Sequence, residues 1–302
     1  MSPAPFINSS SSKNHSLQRY EYKERGGVKF ADLHLHTVFS DGTYTPEELI
    51  LETKKVGLSA ISVVDHDTIE GLAPVIEIAK KKNIEVLPGI ELSAEYDGLE
   101  IHVLGYLIDY KDDSLIKRLA ILKKNRIERI YKIIEKLKGI GIDLNPESVF
   151  SIAQQATVGR LHVARALMKE GIVGSIFEAF QKYIGDKCPA YCLGFKFSPD
   201  EAIRLIKEAG GIPVLAHPYS FNHDDLIFKF IDWGLMGLEV YYPEHSQAMV
   251  NFYRGFAQTH NLLVTGGSDC HGEAKPEVKI GCIKIPYELV EKLKMAKDKS
   301  LS

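Results

Sequence analysis

The stretch Phe30-Ala-Asp-Leu-His-Leu-His-Thr-Val-Phe-Ser-Asp41 decides how the rest of the chain is read. An apolar run carries His34 and His36 two residues apart, and Asp41 follows at the start of an Asp-Gly turn. Alternate side chains of an extended strand leave the same face, so the two imidazoles point together, towards a carboxylate. Nitrogen and oxygen ligands meeting at a strand end make half of a transition-metal site. A helical His pair would need a spacing of three or four instead. Taken alone, a His-x-His is more often two surface or satisfied rings, so the question is whether other ligand types arrive at the same place.

Working outward, Thr45-Pro46-Glu47-Glu48 sets a Thr at a helix N-cap, Pro at the first helical position and carboxylates in the first turn. The helix runs to about Val56 and closes at Gly57. The apolar run at 60–64 is a strand ending on Asp65-His66-Asp67; a helix at 69–81 and a third strand at 84–87 follow. This alternation predicts a parallel α/β sheet or barrel. Asp97-Gly98 then separates two alternating runs, 90–96 and 99–106, and predicts a two-residue hairpin. Pairing Tyr96 with Leu99 puts Ser93 opposite His102 and Glu91 diagonally beside it, about 7–8 Å away, a span that a metal could bridge. Further on, the strand at 212–216 ends on His217, a sixth strand lies at 237–241, and a seventh at 262–265 leads to Asp269-Cys-His271. A last helix is expected from Pro286.

Ligand residue types thus stand at the ends of four strands, where α/β barrels and open sheets carry their sites. Of the 11 histidines, six fall at these ends or on the hairpin, while His15, His162, His223, His245 and His260 lie elsewhere. Such placement overturns the ordinary reading of a lone His-x-His.

The 302 residues and net charge of -3 suit one large or two modest domains, and exclude a global field that would recruit duplex DNA or a membrane. Cys188, Cys192, Cys270 and Cys282 are too few and scattered for a disulfide framework, which points to a reduced, cytoplasmic setting. Residues 1–29, rich in Ser and Asn, read as a flexible tail without a signal sequence. Between 110 and 198 the character changes. Leu115, Ile116, Leu119, Leu122, Ile130, Ile133, Ile134 and Leu137 follow a helical period, and further helices are expected at 146–153, 160–169 and 175–183. This segment reads as a helical insertion covering the site, between barrel parts at 30–109 and 199–302. The rhythm resumes at Ser198-Pro199-Asp200-Glu201, a second cap of the Thr45 type.

His34-Leu-His36, Ser40-Asp41, Asp65-His66-Asp67-Thr68, Pro88-Gly-Ile-Glu91, His102, Ala216-His217-Pro218 and Ser268-Asp269-Cys-His271, in that order from about 30 to 286, resemble the motifs of the PHP (polymerase and histidinol phosphatase) superfamily. The resemblance implies a distorted seven-stranded (β/α) barrel with a trinuclear metal centre. It assigns His34, His36, Glu91 and Asp269 to one ion, Asp41, His66 and His271 to a second, and Glu91, His102 and His217 to a third. Three divalent ions against three carboxylates leave a cationic pocket suited to a phosphate, with a metal-activated water as nucleophile. The imidazole-rich donor set favours manganese, with iron or zinc as alternatives. Asp65 and Asp67 flank a ligand and are open to two readings, capping and orientation or, for Asp67 beside His66, proton transfer to the leaving group. Asp32, on the strand face of the two histidines, could orient them or cap the strand.

Within the insertion, Val158-Gly-Arg160-Leu-His162-Val-Ala-Arg165 opens a helix where backbone N–H groups, Arg160 and His162 could converge on an anion; surface cations and a packed His are the equal alternative. The segment resembles that of the nucleotide 3',5'-bisphosphate phosphatases and 5'-to-3' exoribonucleases within the superfamily, which implies that Arg160, His162 and Arg165 hold a second phosphate and Tyr191 a base. Arg126 and Arg129, one helical turn apart on the long helix, are weaker candidates for the same anion, and a solvated basic face is the favoured reading of them. The expected activity is hydrolysis of the 3' phosphate of nucleoside 3',5'-bisphosphates or of short 5'-phosphorylated RNA. Histidinol phosphatase and an inactive metal-binding scaffold are the alternatives, and no protein partner is indicated.

Overall fold

The computed structural model describes residues 29–153, 157–192 and 197–300; the tail at 1–28 lies outside the described residues. Eight strands form one sheet: β1 (Phe30–Leu35), β2 (Ala60–Val63), β3 (Glu85–Tyr96), β4 (Leu99–Tyr106), β5 (Ile212–Leu215), β6 (Gly237–Tyr241), β7 (Leu263–Gly266) and the short β8 (Ile285–Pro286). In space they run β7-β6-β5-β4-β3-β2-β1-β8. The expected seven-stranded barrel is therefore an eight-stranded one, because β8 adds an antiparallel edge beside Phe30 and Ala31. The two runs expected at 84–87 and 90–96 are one continuous β3, with Pro88 still in register against Val63 of β2. All neighbouring strands are parallel except where β4 and β8 meet theirs. That reversal follows from the Asp97-Gly98 turn, and it brings the start of β4, with His102, to the end where the parallel strands finish.

The sheet closes through the segment after β7: the Asp269 N–H donates to the His34 carbonyl at 2.8 Å and the His36 N–H to the Cys270 carbonyl at 3.1 Å. Gly267 is required at this seam, since a Cβ there would stand 2.3 Å from the backbone nitrogen and Cβ of His34. A register shift in β1 between Asp32 and Leu35 re-aims the strand. Ala31 and Leu33 pack in one cluster with Ala60 and Val64, whereas Leu35 joins the other with Ile61 and Val63.

Helices α1 (Pro46–Lys55) and α2 (Leu72–Lys82) cross between the first strands. A full capping box at Thr45 and Glu48 starts α1; α2 begins three residues later than expected. The next, α3 (Asp113–Gly139), is a single 27-residue helix, followed by α4 (Pro146–Ala153), α5 (Arg160–Lys169) and α6 (Ile176–Ala179), the last continuing as one π-helical turn to Ile184. Leu115, Leu119 and Leu122 of α3 join the barrel core; Ile130, Ile133, Ile134 and Leu137 belong to a separate core with Val149, Val163 and Leu167. Helices α7 (Pro199–Glu208), α8 (Leu226–Asp232) and α9 (Gln247–Thr259) return to the barrel, and α10 (Tyr287–Ser300) packs Val290 and Leu293 against the β1, β4 and β5 residues Leu33, Leu104 and Val214. Among the described residues no helix is long and apolar enough to cross a membrane.

Candidate metal centre

Six imidazoles and three carboxylates meet at the carboxyl ends of the parallel strands. His34 comes from β1, His36 from the position just after it, Asp41 from the loop before α1, His66 from the turn after β2, Glu91 from β3, His102 from β4, His217 from the turn after β5, and Asp269 and His271 from the segment after β7. Glu91 stands at the middle: Oε2 lies 3.1 Å from His34 Nε2 and 3.2 Å from His36 Nε2, while Oε1 lies 2.8 Å from His102 Nδ1 and 3.2 Å from His217 Nε2. Asp269 Oδ1 approaches His36 Nε2 at 3.1 Å, and Asp41 Oδ1 approaches His271 Nε2 at 3.2 Å. The hairpin has the pairing drawn from the sequence, Tyr96 with Leu99 and Ser93 with His102.

Three groups have ligand atoms within 4.8 Å of one another: His34, His36 and Asp269; His36, Asp41, His66 and His271; and His66, Glu91 and His102. The resemblance grouped them somewhat differently. His36 also faces the Asp41 cluster, His66 also faces Glu91 at 3.5 Å, and His217, outside the three groups, meets Glu91 at 3.2 Å and packs its ring against those of His34 and His102.

The donor set suits divalent cations on three counts. His34 Nε2 and His36 Nε2 face each other at 3.1 Å, a contact that needs a proton or a cation between them. The buried atoms His36 Nδ1, Asp41 Oδ1, His66 Nδ1 and His102 Nδ1 make no hydrogen bond among the described residues; the short His102–Glu91 contact is an ion-pair distance without donor geometry. Finally, Glu91 and Asp269 are buried carboxylates, which need compensating positive charge. Burial opposes charge on Glu91, yet the imidazoles of His66, His34 and His102 hold its pKa well below the carboxylate range. Burial likewise disfavours protonated His36, yet Asp269 and Glu91 raise it to about 10; His102 is raised to about 9 in the same way by Glu91 and Glu100. His66, where burial wins, falls to about 4 and presents a neutral ring.

Outer partners fix these ligands. Glu239 of β6, fully buried, receives His34 Nδ1 at 2.9 Å and the His217 N–H at 2.9 Å, so that His34 Nε2 turns inward. Tyr242 Oη and Lys275 Nζ donate to Asp269 Oδ2 at 2.9 and 2.8 Å, leaving Oδ1 for the centre. His271 Nδ1 lies 2.9 Å from the Asp269 carbonyl and His217 Nδ1 3.0 Å from Ser220 Oγ. Of the non-glycine residues with left-handed backbone, three belong to this site, Asp67 (φ 52), His217 (φ 26) and Asp269 (φ 54), and such strain persists where the surroundings over-determine it. The sequence reading passed over Glu239, Tyr242 and Lys275. A lone carboxylate inside the apolar strand Gly-Leu-Glu-Val-Tyr was the available sign for the first.

The flanking aspartates have structural tasks. Asp65 accepts from Thr37 N, Thr37 Oγ1 and Ser40 Oγ at 2.6–2.7 Å, holding the loop that carries Asp41. Asp32 accepts from the N–H groups of His34, Ser268 and Gly281, which clamps backbone. Asp67 Oδ1 accepts from Ser93 N at 2.8 Å, and Oδ2 is held by the Arg126 guanidinium, whose Nε lies at 2.7 Å. Both oxygens of Asp67 are thus engaged within the protein, one by backbone and one by a guanidinium.

The insertion faces this centre. Arg160 opens α5 and donates from Nη2 to Glu100 at 2.5 Å and from Nη1 to Asp186 at 2.7 Å. Its guanidinium lies 5.6 Å from the Tyr191 ring centre, with that of Arg129 at 5.9 Å. His162 is buried and accepts the Gly159 N–H on Nδ1 at 3.1 Å, so its ring caps α5. Arg165 is half-buried and makes no ion pair among the described residues. Arg126 and Arg129 are not the solvated face expected of them. The first is 15 % exposed against Asp67; the second is buried, donating Nε to the Cys192 carbonyl at 2.8 Å.

Residues 32–157 match the PHP domain. The chain is 31% identical over 249 residues to a 5'-3' exoribonuclease of Haemophilus influenzae, an alignment covering 81% of this chain and 90% of that one. The chain belongs to the PHP family. A 3',5'-nucleoside bisphosphate phosphatase of Chromobacterium violaceum is 29% identical over 260 residues, covering 83% and 90% of the two chains. The crystal structure of a putative metal-dependent phosphoesterase of Bifidobacterium adolescentis superposes with a TM-score of 0.81 at 29% identity, over 90% of this chain and 97% of that one. As a PHP protein with this donor set, the chain is a metal-dependent phosphoric ester hydrolase.

Proposed function

We propose that the protein hydrolyses the 3' phosphate of nucleoside 3',5'-bisphosphates, and the 5'-terminal linkage of short 5'-phosphorylated RNA, with the insertion at 110–198 holding the substrate's second phosphate over a barrel formed by 30–109 and 199–302. The observation that carries this reading is the seat of Arg160. Its guanidinium lies one residue, Glu100, away from His102 of the metal centre, and an anion held there would reach the centre with its other end. His162 and Arg165 stand on the first turns of α5, and the positive end of the helix dipole there favours an anion. The relatives named above, a bisphosphate phosphatase and an exoribonuclease, are consistent with a substrate phosphorylated at two places.

In this reading three divalent ions, manganese ahead of iron or zinc, are held by His34, His36, Glu91 and Asp269; by Asp41, His66 and His271; and by Glu91, His102 and His217. Bound ions lower the pKa of water and stabilise charge on phosphoryl oxygens. The chain's own residues supply the rest. Glu239, Tyr242 and Lys275 hold ligands in place, Asp67 joins β3 to α3, and Tyr191, with guanidinium groups on either hand, presents its ring to a base.

The test is phosphate release by manganese-loaded protein from adenosine 3',5'-bisphosphate, run beside histidinol phosphate and a short 5'-phosphorylated RNA. Release from the bisphosphate or the RNA, falling at least tenfold in Arg160→Ala, supports the reading. Hydrolysis of histidinol phosphate alone would move the substrate and leave the metal centre standing.

A further inference from the structure

The guanidinium of Arg126 is engaged on one side only. Nε and Nη2 are pinned to Asp67 Oδ2, and Nη2 also donates to Ser93 Oγ at 2.8 Å. Asp67 follows His66 and Ser93 lies opposite His102, so the pinned side stands beside two residues of the metal centre. Nη1 makes no hydrogen bond among the described residues. It approaches Gly159, the N-cap of α5, and would stand 3.5 Å from a Cβ added there. Beyond its chain neighbours, that Cβ would meet nothing else within 4 Å among the described residues.

A side-chain oxygen at an N-cap accepts from the first N–H groups of its helix, and glycine has none to offer. The Gly159 N–H is taken by His162 Nδ1 and the His162 N–H by the Gly159 carbonyl, but the Arg160 and Leu161 N–H groups find no acceptor among the described residues. One turn further along α3, Arg129 is 7% exposed, its Nη2 makes no hydrogen bond, and no carboxylate pairs with it among the described residues. Buried cations are ordinarily paired. Arg126 has Asp67, and Arg160 has Glu100 and Asp186; Arg129, within electrostatic reach of both guanidinium groups, has backbone and an aromatic ring. The junction of α3 and α5 thus leaves donors without acceptors.

We propose that Arg126 is a substrate-binding residue: Nη1, together with the Arg160 and Leu161 N–H groups, receives the oxygens of the substrate's second phosphate in the place of the missing cap oxygen. The proposal rests on the reading that the insertion holds that phosphate, and adds the seat that holds it. Unmade hydrogen bonds carry the binding, not a net field, since Asp67, Glu100 and Asp41 all act on Arg126 and the surrounding charge is mixed. A tetrahedral phosphate presents several oxygens to these donors, and hydrogen bonds to a charged acceptor are the strong ones. Asp67 and Ser93 fix the guanidinium from the barrel side, so Nη1 is in place before substrate arrives and little side-chain freedom is lost on binding. The same two contacts set the distance between the seat and the metal centre, which is what a substrate with two phosphates must match.

The experiment compares kcat/KM of manganese-loaded protein on adenosine 3',5'-bisphosphate with that on adenosine 3'-phosphate, which lacks the second phosphate. The unaltered protein is expected to prefer the bisphosphate, and Gly159→Ala to narrow that preference about tenfold, the scale of one hydrogen bond to a charged group. The extended backbone of Gly159 accepts alanine, and the added methyl occupies the seat while leaving Asp67 and Ser93 on Arg126. Arg126→Lys, which can still pair with Asp67 but has no second arm, is expected to narrow the preference to a similar degree. A melting curve checks the fold of each variant, and should one fold poorly, the other carries the test. An undiminished preference in either folded variant overturns the proposal and leaves Arg126 a strut between α3 and the barrel. An equal fall on both substrates overturns it too, because the change then bears on the metal centre and not on the second phosphate. Absence of any preference in the unaltered protein is a different result: it removes the second-phosphate reading itself, and the seat with it.

Discussion

His34 owes its orientation to Glu239. The carboxylate is fully buried and lies 2.9 Å from Nδ1, which turns Nε2 towards Glu91 and Asp269. Removing the charge while keeping the shape, as in Glu239→Gln, is expected to weaken manganese binding about 10–100-fold, the usual cost of losing such a partner, with the melting curve of the metal-free protein still cooperative. A manganese titration checks it, and unchanged affinity would mean that packing alone orients the ring. For a ligand itself the loss should be complete: His66→Ala is expected to bring turnover to background with an unaltered circular dichroism spectrum, and retained activity would remove His66 from the centre. The ligand types were legible because His and Asp at strand ends interrupt apolar runs at the places where α/β sheets carry sites. Their supports were not, since Glu239, Tyr242 and Lys275 reach His34 and Asp269 by folding, and Lys275 looks in the sequence like any surface lysine.

Helix α3 ties the insertion to the barrel through Arg126. Arg126 holds Asp67 and donates from Nη2 to Ser93 Oγ at 2.8 Å, joining the turn after β2, the strand β3 and the helix. Arg126→Ala would leave Asp67 buried without its partner, a loss on the order of 3–5 kcal/mol, readable by urea denaturation. If replacing Asp67 as well recovers most of that loss, the pair is the cause; an additive double variant would point to packing of the arginine stem. The sequence misplaced Arg126 and Arg129 for a geometric reason. The apolar stripe of α3 serves two cores, its first half packing on the barrel and its second on the insertion. The two arginines stand between these halves, and a periodicity count that assumes one buried face assigns them to water. By contrast α1 and α7 were legible in detail, because Thr45 and Ser198 cap through contacts three residues away. The register shift in β1 left no mark in the sequence, yet it separates the role of Asp32 from that of His34 and His36.

For the molecule as a whole, the centre stores protons where it is built to store metal. In the metal-free protein the carboxylates raise His36 to about 10 and His102 to about 9 against the effect of burial. A folded-state pKa above the unfolded value of about 6.5 stabilises the fold fully below that pH and loses its effect as the pH rises through the folded value. The metal-free protein should therefore lose stability between about pH 6.5 and 10, seen as a falling melting temperature. Metal binding runs the other way, because a ligand nitrogen must be deprotonated before it coordinates. At pH 8 both rings are protonated in the folded metal-free chain, and His34, raised against burial by Glu239, Glu91 and Asp269, adds to them, so loading is expected to expel at least two protons, and the manganese-loaded protein should keep its melting temperature across the same alkaline range. Titrations in buffers of different ionisation enthalpy count the released protons directly. Release near zero, with a melting temperature of the metal-free protein that does not move from pH 6.5 to 9.5, would show that His36 and His102 are neutral before metal arrives, and that the buried carboxylates are balanced by Lys275 and the insertion's guanidinium groups instead.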